Sequence, residues 1–430
     1  MILKDITVLL LDYPNHQTLR TALYSLKRIS HRVNSVGIVH HPNVNVQPLK
    51  GFEKRIWTTL IQANDLGTAL NEATKKIQST YVLFLNDQQF LSPALDASTL
   101  YLPHDHSVMT HVRSVRNIRI REPFFVKTEI LKEKKFSALA HLPFKEALLP
   151  FWLYEIDEKY ILSKDNTCVQ TLRKSNSKDQ LEKVRLLQKI EADIPIYPSP
   201  TLSVLIPCFN MDGYVGKAIA SCFFQHTQPD QLLVLDDGSE DQSLAEIEQW
   251  RGISHVEIIS KKNEGKAKAL NDALPHVETD FVMELDADDW LDPDALSIIK
   301  QKLQQLPKNV SLLYGNFRKW KQRGRGDVLF KGTAKGRPVQ TKQQLLAYPF
   351  PLGPRIYRTA DIKAAGGFPI VSFAEGRLYE DVSVLLQLIH DTRFTYQDFT
   401  VYNIREHEKS ITKQHQQKWH TFKEQLKRSL

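Results

Sequence analysis

Short apolar runs alternate with stretches of helical periodicity in the second half of the chain. Each run has the length of a buried strand, and polar residues separate it from the next helical pattern. Strands and helices that alternate at this spacing predict a parallel, doubly wound α/β sheet. The predicted strands are residues 201–206, 232–235, 256–259 and 281–285, and the predicted helices are residues 214–225, 244–250 and 263–274.

The first part of the chain repeats this pattern. The run 7–15 parallels 203–210, and the run 81–89 matches 281–289. In both parts, 33 residues separate the start of the first strand from the polar group that follows the second. We interpret this similarity as the duplication of a whole domain, not of a small repeat unit.

The two copies differ in the residues that could carry chemistry. The first has Asn86, Asp87, Gln88 and Gln89 where the second has a group of acids, and it has His40 and His41 where the second has Asp236 and Asp237. The histidine pair could bind a metal or simply belong to a polar loop. We therefore predict a non-catalytic first domain. The predicted boundaries are 1–175 for the first domain, 176–200 for a linker helix with a proline-rich joint, 201–412 for the catalytic domain and 413–430 for a C-terminal helix.

Three carboxylates follow the fourth predicted strand of the second copy. Asp286, Asp288 and Asp289 stand directly after an apolar run, so they should lie at the carboxyl edge of the sheet, where open α/β folds bind ligands. Hard oxygen ligands held together suit Mg²⁺ or Mn²⁺ with positions open for phosphates. The acids could instead belong only to the cap of the next helix, because Asp292 and Pro293 fit the N-cap and first helical positions.

Composition and charge limit the class of protein. The 430 residues are 42% hydrophobic and carry a net charge of +8, which suits a globular chain with a polyanionic partner. No apolar run is long enough for a transmembrane helix, and the acids near the start argue against a signal peptide. Three cysteines without metal-ligand spacing fit a reducing cytoplasm.

Several motifs occur in series between residues 201 and 412. Together they resemble the bacterial glycosyltransferase family 2, which has the GT-A fold. The first copy resembles a degenerate member of the same fold. The resemblance thus implies two tandem GT-A domains, Rossmann-like with mostly parallel sheets. The matching motifs are 203–210, 234–241, 263–266, 285–289, 366–368, 379–381 and 402–407.

Residues around the donor are expected from these motifs. Pro207 and Asn210 end a strand where the backbone can approach a nucleotide, and Asp236 can accept a hydrogen bond from the imide N–H of a uracil-like base. Asp237 could hold the ribose or stabilise its own turn. Lys266 or Lys268 could reach phosphate, or both could lie on a solvated helix face. The family usually has an arginine where this chain has Leu270, so a lysine would have to neutralise the phosphate. The candidate donor-binding residues from these motifs are Pro207, Asn210, Asp236, Asp237, Lys266 and Lys268.

The resemblance also implies metal and catalytic roles. Asp288 would bind Mn²⁺ or Mg²⁺, Asp286 would face the sugar and share in the metal site, and Asp289 would touch sugar hydroxyls. Asp381 is expected to be the general base, with Glu380 as the second candidate, unless the pair only caps a helix. The late motif adds Arg405, expected to close over the diphosphate, and His407, expected to be a third metal ligand.

Two further segments have open interpretations. Residues 321–347 are basic and contain glycine, and they predict either a lid or acceptor-binding loop or a solvated insert. Residues 413–430 have apolar side chains at helical spacing among lysines. This amphipathic helix could dock on its own protein or lie on an anionic membrane.

The expected function is that of an inverting, metal-dependent glycosyltransferase. The donor would be a nucleoside-diphosphate sugar, a UDP-sugar in the first place, and the acceptor would be the hydroxyl of a glycan, lipid-linked or protein molecule in bacterial cell-surface or spore-coat glycan synthesis. The expected location is the cytoplasm, with peripheral association with the membrane. The alternative is a non-catalytic protein that binds nucleotide sugars or acts as a scaffold. No nucleic-acid-binding module is visible, so no nucleic acid partner is expected.

Overall fold

The structure is a computed structural model of the 430-residue chain. It describes residues 4–47, 51–164, 168–172, 177–192, 194–324, 327–349, 351–370, 379–408 and 421–422. The chain divides into two compact units, Met1–Glu191 with Gly324–Asp327, and Ala192–Arg323 with Val328–Leu430.

The first unit alternates strands and helices. Its strands are β1 (Ile6–Leu11), β2 (Val33–His40), β3 (Ile56–Leu60), β4 (Tyr81–Asn86), β5 (Gln89–Leu91), β6 (Val108–Val115), β7 (Ile118–Lys127), β8 (Ile161–Ser163) and β9 (Val169–Thr171). Its helices are α1 (His16–Ser25), α2 (Leu66–Lys75), α3 (Thr128–Glu133), α4 (Leu148–Tyr154) and α5 (Lys178–Gln188). Asn15 and Asp65 accept backbone N–H groups at the starts of α1 and α2, as N-cap residues do.

The main sheet of the first unit has the order β3-β2-β1-β4-β7-β6-β8 within the described residues. The strands β3, β2, β1 and β4 run parallel, and β7 joins β4 antiparallel. Helix α5, predicted as part of a linker, belongs to this unit and packs on β7.

The second unit has the same alternation. Its strands are β10 (Leu202–Cys208), β11 (Gln231–Asp236), β12 (Val256–Ser260), β13 (Phe281–Glu284), β14 (Trp290–Leu291), β15 (Val310–Arg323), β16 (Asp327–Ala334), β17 (Ile356–Arg358) and β18 (Arg393–Glu406). Its helices are α6 (Val215–Phe223), α7 (Ser243–Glu248), α8 (Lys266–Ala273), α9 (Ala295–Gln304), α10 (Lys342–Leu346), α11 (Thr359–Ala364) and α12 (Glu380–Asp391).

The second sheet has the order β12-β11-β10-β13-β17-β15-β18-β14, and β16 pairs with β15. From β12 to β18, the order and directions of the strands match those of the first sheet from β3 to β8. The predicted α/β class with mostly parallel strands is confirmed. The shared topology agrees with the repeat in the sequence, while a non-catalytic role for the first unit remains a prediction.

Both faces of the second sheet are covered. On β10, Val204 and Ile206 enter one apolar cluster, and Leu205, which points to the other face, enters a second cluster. Burial on both faces explains why the strands read as continuous apolar runs and not as alternating ones.

The predicted strands and helices of residues 201–285 are all present, but the start of the next helix is not where the sequence suggested. Helix α9 begins at Ala295, and Asp294 is its N-cap. Asp292 is instead fully buried and accepts two hydrogen bonds from the guanidinium of Arg318. The short strand β14 pairs with β18 before this point, so the chain turns into the helix later than predicted.

The segment 321–347 contains regular structure, which differs from the predicted loop. It includes the end of β15, the strand β16 and the helix α10. Pairing with β15 gives these residues extended structure even though their sequence lacks a regular apolar period.

The predicted C-terminal helix, residues 413–430, lies outside the described residues except for 421 and 422. The side chain of Phe422 is buried, and its ring stacks on Tyr379 with centroids 4.7 Å apart. In the described part of the chain, no helix combines the length and the hydropathy needed to span a bilayer.

Candidate active site

The candidate site lies at the carboxyl edge of the second sheet. Cys208 at the end of β10 is in register with Asp236 at the end of β11, and Leu205 is in register with Glu284 at the end of β13. The loops that follow β10, β11 and β13 therefore leave the sheet at the same edge. This is the position at which open α/β folds bind ligands.

The loop after β11 is held by its own hydrogen bonds. The buried carboxylate of Asp237 accepts the backbone N–H groups of Glu264, at 3.0 Å, and Gly265, at 2.8 Å, directly before helix α8. Gly265 has a φ of 96°, which favours glycine at this turn. Of the two roles considered for Asp237, stabilisation of the turn matches these contacts.

Asp236 and Asn210 are also engaged locally. The carboxylate of Asp236 is buried and faces the backbone N–H of Ser239 at 3.3 to 3.4 Å. The Asn210 side chain accepts the N–H of Glu240 at 2.8 Å, with its own backbone at a φ of 54°. Pro207 is buried within β10, so only its backbone could face a ligand.

Phe209 is an exposed aromatic residue at this edge that our sequence analysis did not select. Its side chain is 40% exposed although it directly follows a fully buried strand. An exposed ring beside the loop of Asp236 could stack on a nucleobase. The sequence signal was available, because an aromatic residue between the strand end and Asn210 interrupts a polar turn.

The three acids after β13 have different environments. Asp286 is partly exposed, and its Oδ1 lies 2.6 Å from Nζ of Lys266. Burial would raise the pKa of Asp286, but Lys266 and Arg355 outweigh it and hold the pKa below its ordinary value. Asp289 is buried and accepts the backbone N–H of Arg405 at 2.8 Å. Burial, with Asp288 and Asp286 nearby, raises the pKa of Asp289 well above its ordinary value. The structure thus does not bring Asp289 to the surface of the site.

Asp288 and His407 meet at the centre of the edge. Nε2 of His407 lies 2.9 Å from Oδ2 of Asp288. Two ligands at right angles on one Mg²⁺ ion, each about 2.1 Å from it, would be about 3 Å apart. A carboxylate oxygen and an imidazole nitrogen are both donors that Mn²⁺ accepts.

These two residues therefore fit a divalent cation that also binds phosphate oxygens. Among the residues that the structure describes, no group of three or more His, Cys, Asp and Glu side chains is arranged to hold a metal by itself. A pair of protein ligands agrees with an ion whose remaining positions are filled by substrate and water. The side chain of Asp286, which was also expected to share in the metal site, accepts a hydrogen bond from Lys266.

Arg405 lies behind the Asp288 loop. Its side chain is 2% exposed, its Nε donates to the backbone oxygen of Asp288 at 2.9 Å, and its NH1 group donates to Gln322 at 2.6 Å. Its guanidinium also packs over the ring of Trp290. Burial lowers the pKa of Arg405 to about 10, although Asp289 and Asp288 oppose this shift. The placement makes it a support for the loop and not a side chain free to close over a diphosphate.

Lys266 and Lys268, which the sequence could not distinguish, point in different directions. Nζ of Lys266 lies 3.1 Å from the carboxylate of Glu380, in addition to its contact with Asp286. Lys268 is exposed and pairs with Glu264 on the surface of helix α8. Only Lys266 is directed into the site.

Glu380 and Asp381, the two candidates for the general base, stand at the start of helix α12 beside a buried ion pair. Asp381 Oδ2 lies 3.7 Å from the NH1 group of Arg355, and Arg355 also binds the carboxylate of Glu284 at 3.2 and 3.3 Å. Burial raises the pKa of Glu380, although Lys266 opposes this shift. Charged side chains thus link the loop after β13 to the start of α12.

Glu284 and Arg355 are further residues that sequence reasoning missed. Glu284 is 2% exposed and also accepts a hydrogen bond from Tyr357 at 2.8 Å. A glutamate inside the otherwise apolar run 281–285 was a usable signal, because a charge is rarely buried without a partner. Arg355 follows Gly353 and Pro354 in a segment without a clear pattern, so its role as the partner could not be read from the sequence.

A parallel α/β domain with carboxylates and an imidazole at the carboxyl edge of its sheet has the architecture of a ligand-binding enzyme domain. Residues 203–356 match the family model described as "Glycosyl transferase family 2". This part of the chain is therefore similar in sequence to family 2 glycosyltransferase domains.

Curated relatives share this domain. The chain is 34% identical over 132 residues to a chondroitin synthase of Pasteurella multocida (strain Pm70), which covers 30% of this chain and 13% of that protein. It is 31% identical over 120 residues to an uncharacterized glycosyltransferase of Haemophilus influenzae, covering 27% of this chain and 47% of that protein. It is 26% identical over 166 residues to the poly(ribitol-phosphate) beta-N-acetylglucosaminyltransferase TarS of Staphylococcus aureus, covering 37% of this chain and 28% of that protein. The chain thus spans less than half the length of each of these relatives.

Solved structures with similarity include TarS 1–349 of S. aureus in complex with UDP. That similarity has 22% identity and a TM-score of 0.37, and it covers 48% of this chain and 60% of that chain. A mannosyltransferase from Pyrobaculum calidifontis in complex with GDP-Man and Mn²⁺ has 16% identity and a TM-score of 0.36, and covers 55% of this chain and 67% of that chain.

Proposed function

We propose that the second unit is an inverting, metal-dependent glycosyltransferase that uses a UDP-sugar. The observation that carries the proposal is the approach of His407 to Asp288 at the carboxyl edge of a family 2 domain. Asp286 lies on the same loop, and Lys266 links it to the carboxylate of Glu380 at the start of α12. The site thus combines a pair of metal ligands with acids that can act on a sugar and on an acceptor.

Donor binding would use the loops after β10 and β11. The ring of Phe209 stacks on the base, and Asp236 accepts the imide N–H, with the backbone around Asn210 completing the pocket. Asp288 and His407 would hold the cation, which would supply charge neutralisation at the leaving diphosphate when bound. Lys266, the only lysine of helix α8 directed into the site, orients Asp286 toward the sugar. Its positive charge would replace that of the arginine which this family usually has at the position of Leu270.

Transfer would need a proton acceptor on the acceptor side of the sugar. Asp381 takes the proton of the acceptor hydroxyl while that oxygen forms a bond to the anomeric carbon. The bond between the anomeric carbon and the phosphate oxygen breaks at the same time, and its electron pair leaves with the diphosphate. Arg355 orients Asp381, and Glu380 is the second candidate for the base. A single displacement of this kind inverts the anomeric configuration.

The acceptor is proposed to be a glycan or a lipid-linked glycan precursor in bacterial cell-surface or spore-coat synthesis. The names of the relatives, chondroitin synthase and a poly(ribitol-phosphate) glycosyltransferase, support a polymeric acceptor. We further propose that the protein works in the cytoplasm, at the inner face of the membrane where such precursors are anchored.

The first unit is proposed to be a non-catalytic GT-A-like copy. At the position that matches the acids of the second unit, the amide of Gln89 binds Glu122 and lies 3.4 Å from His111, all of them buried. Asp12 directly follows strand β1 and pairs with His41 and Lys145. These acids have partners from within the unit, which supports a structural or acceptor-binding role.

Titration calorimetry of the intact chain with UDP, GDP and dTDP, each with and without Mn²⁺, tests the proposal. We expect Mn²⁺ to strengthen the binding of UDP, and we expect Asp288→Asn to remove that effect. Asp391→Asn, a change of an exposed acid at the end of α12, is the matched control. Release of UDP from a UDP-sugar, lost in Asp381→Asn while binding is kept, would support catalysis. Metal-dependent binding with no release under any acceptor would favour the alternative, a protein that only binds nucleotide sugars.

A further inference from the structure

The imidazole of His407 lies against an aromatic ring from a distant part of the chain. Tyr214, directly before helix α6, stacks on His407 with ring centroids 4.6 Å apart and an angle of 24° between the planes. His407 is 6% exposed and directs Nε2 toward Asp288. One face of the imidazole is therefore covered while its nitrogen points at the proposed cation position.

Tyr214 also packs against the strand that delivers His407. The guanidinium carbon of Arg405 lies 5.4 Å from the centre of the Tyr214 ring and 4.6 Å from the centre of the Trp290 ring. Arg405 in turn donates to the backbone oxygen of Asp288. Tyr214 thus contacts both Arg405, within β18, and His407, directly after it, and both of these residues contact Asp288.

The orientation of an imidazole decides whether it can bind a cation. The lone pair of Nε2 lies in the ring plane, so a rotation of the ring moves the lone pair away from the point that Asp288 faces. Groups that fix such a ring change metal affinity by about 10- to 100-fold in other metal sites. A stacked ring restricts rotation through the face of the imidazole, and stacked aromatic pairs are favourable beyond their buried area.

We infer that Tyr214 is a positioning residue that holds His407 in the orientation required to bind a divalent cation together with Asp288. The inference rests on the proposed function, because it concerns the cation of that site. It assigns a role to the start of α6 that neither the motif pattern nor the catalytic steps require.

The test measures Mn²⁺ affinity of the intact chain at saturating UDP, by titration calorimetry or by electron paramagnetic resonance of free Mn²⁺. We expect wild type and Tyr214→Phe to bind Mn²⁺ with the same affinity, because phenylalanine keeps the stacked ring. We expect Tyr214→Leu and Tyr214→Ala to bind it about tenfold more weakly. Tyr101→Ala, which removes a tyrosine that is 65% exposed in the first unit, is the control. UDP affinity without metal should be equal in all of these proteins.

A second background separates positioning from packing. In His407→Ala, the additional change Tyr214→Leu should have no further effect on Mn²⁺ affinity, since the group that Tyr214 positions is gone. Equal Mn²⁺ affinity of wild type and Tyr214→Leu would overturn this inference but not the proposed metal dependence. The same would hold if Tyr214→Leu reduced Mn²⁺ affinity in the His407→Ala background as much as it does in wild type. A wild-type chain that binds UDP without any contribution from Mn²⁺ would overturn the proposed metal dependence and this inference together. Thermal unfolding of each variant shows whether it is folded, and Tyr214→Leu serves if Tyr214→Ala does not fold.

Discussion

Nε2 of His407 lies 2.9 Å from Oδ2 of Asp288, although 119 residues separate them in the chain. The contact exists because β18 lies between two strands of the sheet. It pairs with β15 on one edge and, on the other, with β14, which directly follows Asp288 and Asp289 in the chain. The sheet itself therefore brings the late histidine to the early carboxylate. This relationship gives the proposed metal site its shape.

His407→Ala is predicted to weaken Mn²⁺-dependent UDP binding by at least about tenfold, because it removes a proposed ligand and not only a group that orients one. His390→Ala, at an exposed position of α12, should have no effect. Calorimetric titration of UDP at a fixed Mn²⁺ concentration gives the comparison. Unchanged binding in His407→Ala would show that Asp288 needs no imidazole partner.

Phe209→Ala is predicted to weaken UDP binding about tenfold both with and without Mn²⁺, because base stacking on an aromatic ring contributes about 1 to 3 kcal/mol. Phe209→Tyr should bind UDP with the affinity of wild type, since it keeps an aromatic ring. Ile253→Ala, a change of another exposed apolar residue of this unit, is the control. If the loss appears only with Mn²⁺, the ring does not contact the base.

Glu284→Gln is predicted to reduce the free energy of unfolding by about 3 kcal/mol, because it removes the closer of the two charged partners of the buried Arg355. Tyr357→Phe removes one hydrogen bond to the same carboxylate and should cost about 1 to 2 kcal/mol. Urea unfolding followed by circular dichroism measures both. Equal stability of Glu284→Gln and wild type would mean that the pair contributes nothing to the fold.

Glu122 in the first unit gives a prediction for pH. Burial would raise the pKa of this carboxyl, but Arg113 and His111 outweigh it and lower the pKa from 4.5 to about 2. A folded-state pKa below the unfolded value stabilises the fold above pH 4.5, and this contribution is lost as the pH falls toward 2. Between pH 6 and pH 3, Glu122 should account for about 2 kcal/mol of lost stability.

The measurement is urea unfolding of wild type and Glu122→Gln at both pH values. The glutamine variant should be less stable at pH 6 and should lose less stability on acidification. Glu158→Gln, at an exposed ion pair of the same unit, should follow wild type closely. Parallel pH curves for wild type and Glu122→Gln would contradict the assignment of the low pKa to Glu122.

The sequence was sufficient for the strands and for the position of the acids, because buried parallel strands have an apolar signature and their carboxyl ends share one edge. The sequence was insufficient where the chemistry of one side chain suited two different roles equally well. Asp237 could have held a ribose, and only the fold shows that its carboxylate is occupied by the start of α8. Arg405 could have faced phosphate, and only the packing against Trp290 shows that it lies behind the loop.

Partners that are distant in the chain were the other limit. The pairing of Glu284 with Arg355 spans 71 residues, and the stacking of Tyr214 on His407 joins a helix start to a strand end. Neither has a local pattern, since each depends on the order of strands in the sheet. The repeat within the sequence indicated a duplicated domain, and the two sheets do share a strand order, but the order itself was not predicted.

The placement of β18 has a consequence for the order of events during synthesis of the protein. Asp288 and Phe209 leave the ribosome long before the strand that ends at Glu406. Domains generally begin to fold from their N-terminal side as they are made. A nascent chain that stops short of residue 407 would have the loops after β10 and β11 but not the imidazole, so the proposed cation site would be the last part of the proposed donor pocket to form. Under the proposed function, prematurely terminated chains could not hold a metal–nucleotide complex, which would limit the capture of donor by unfinished protein.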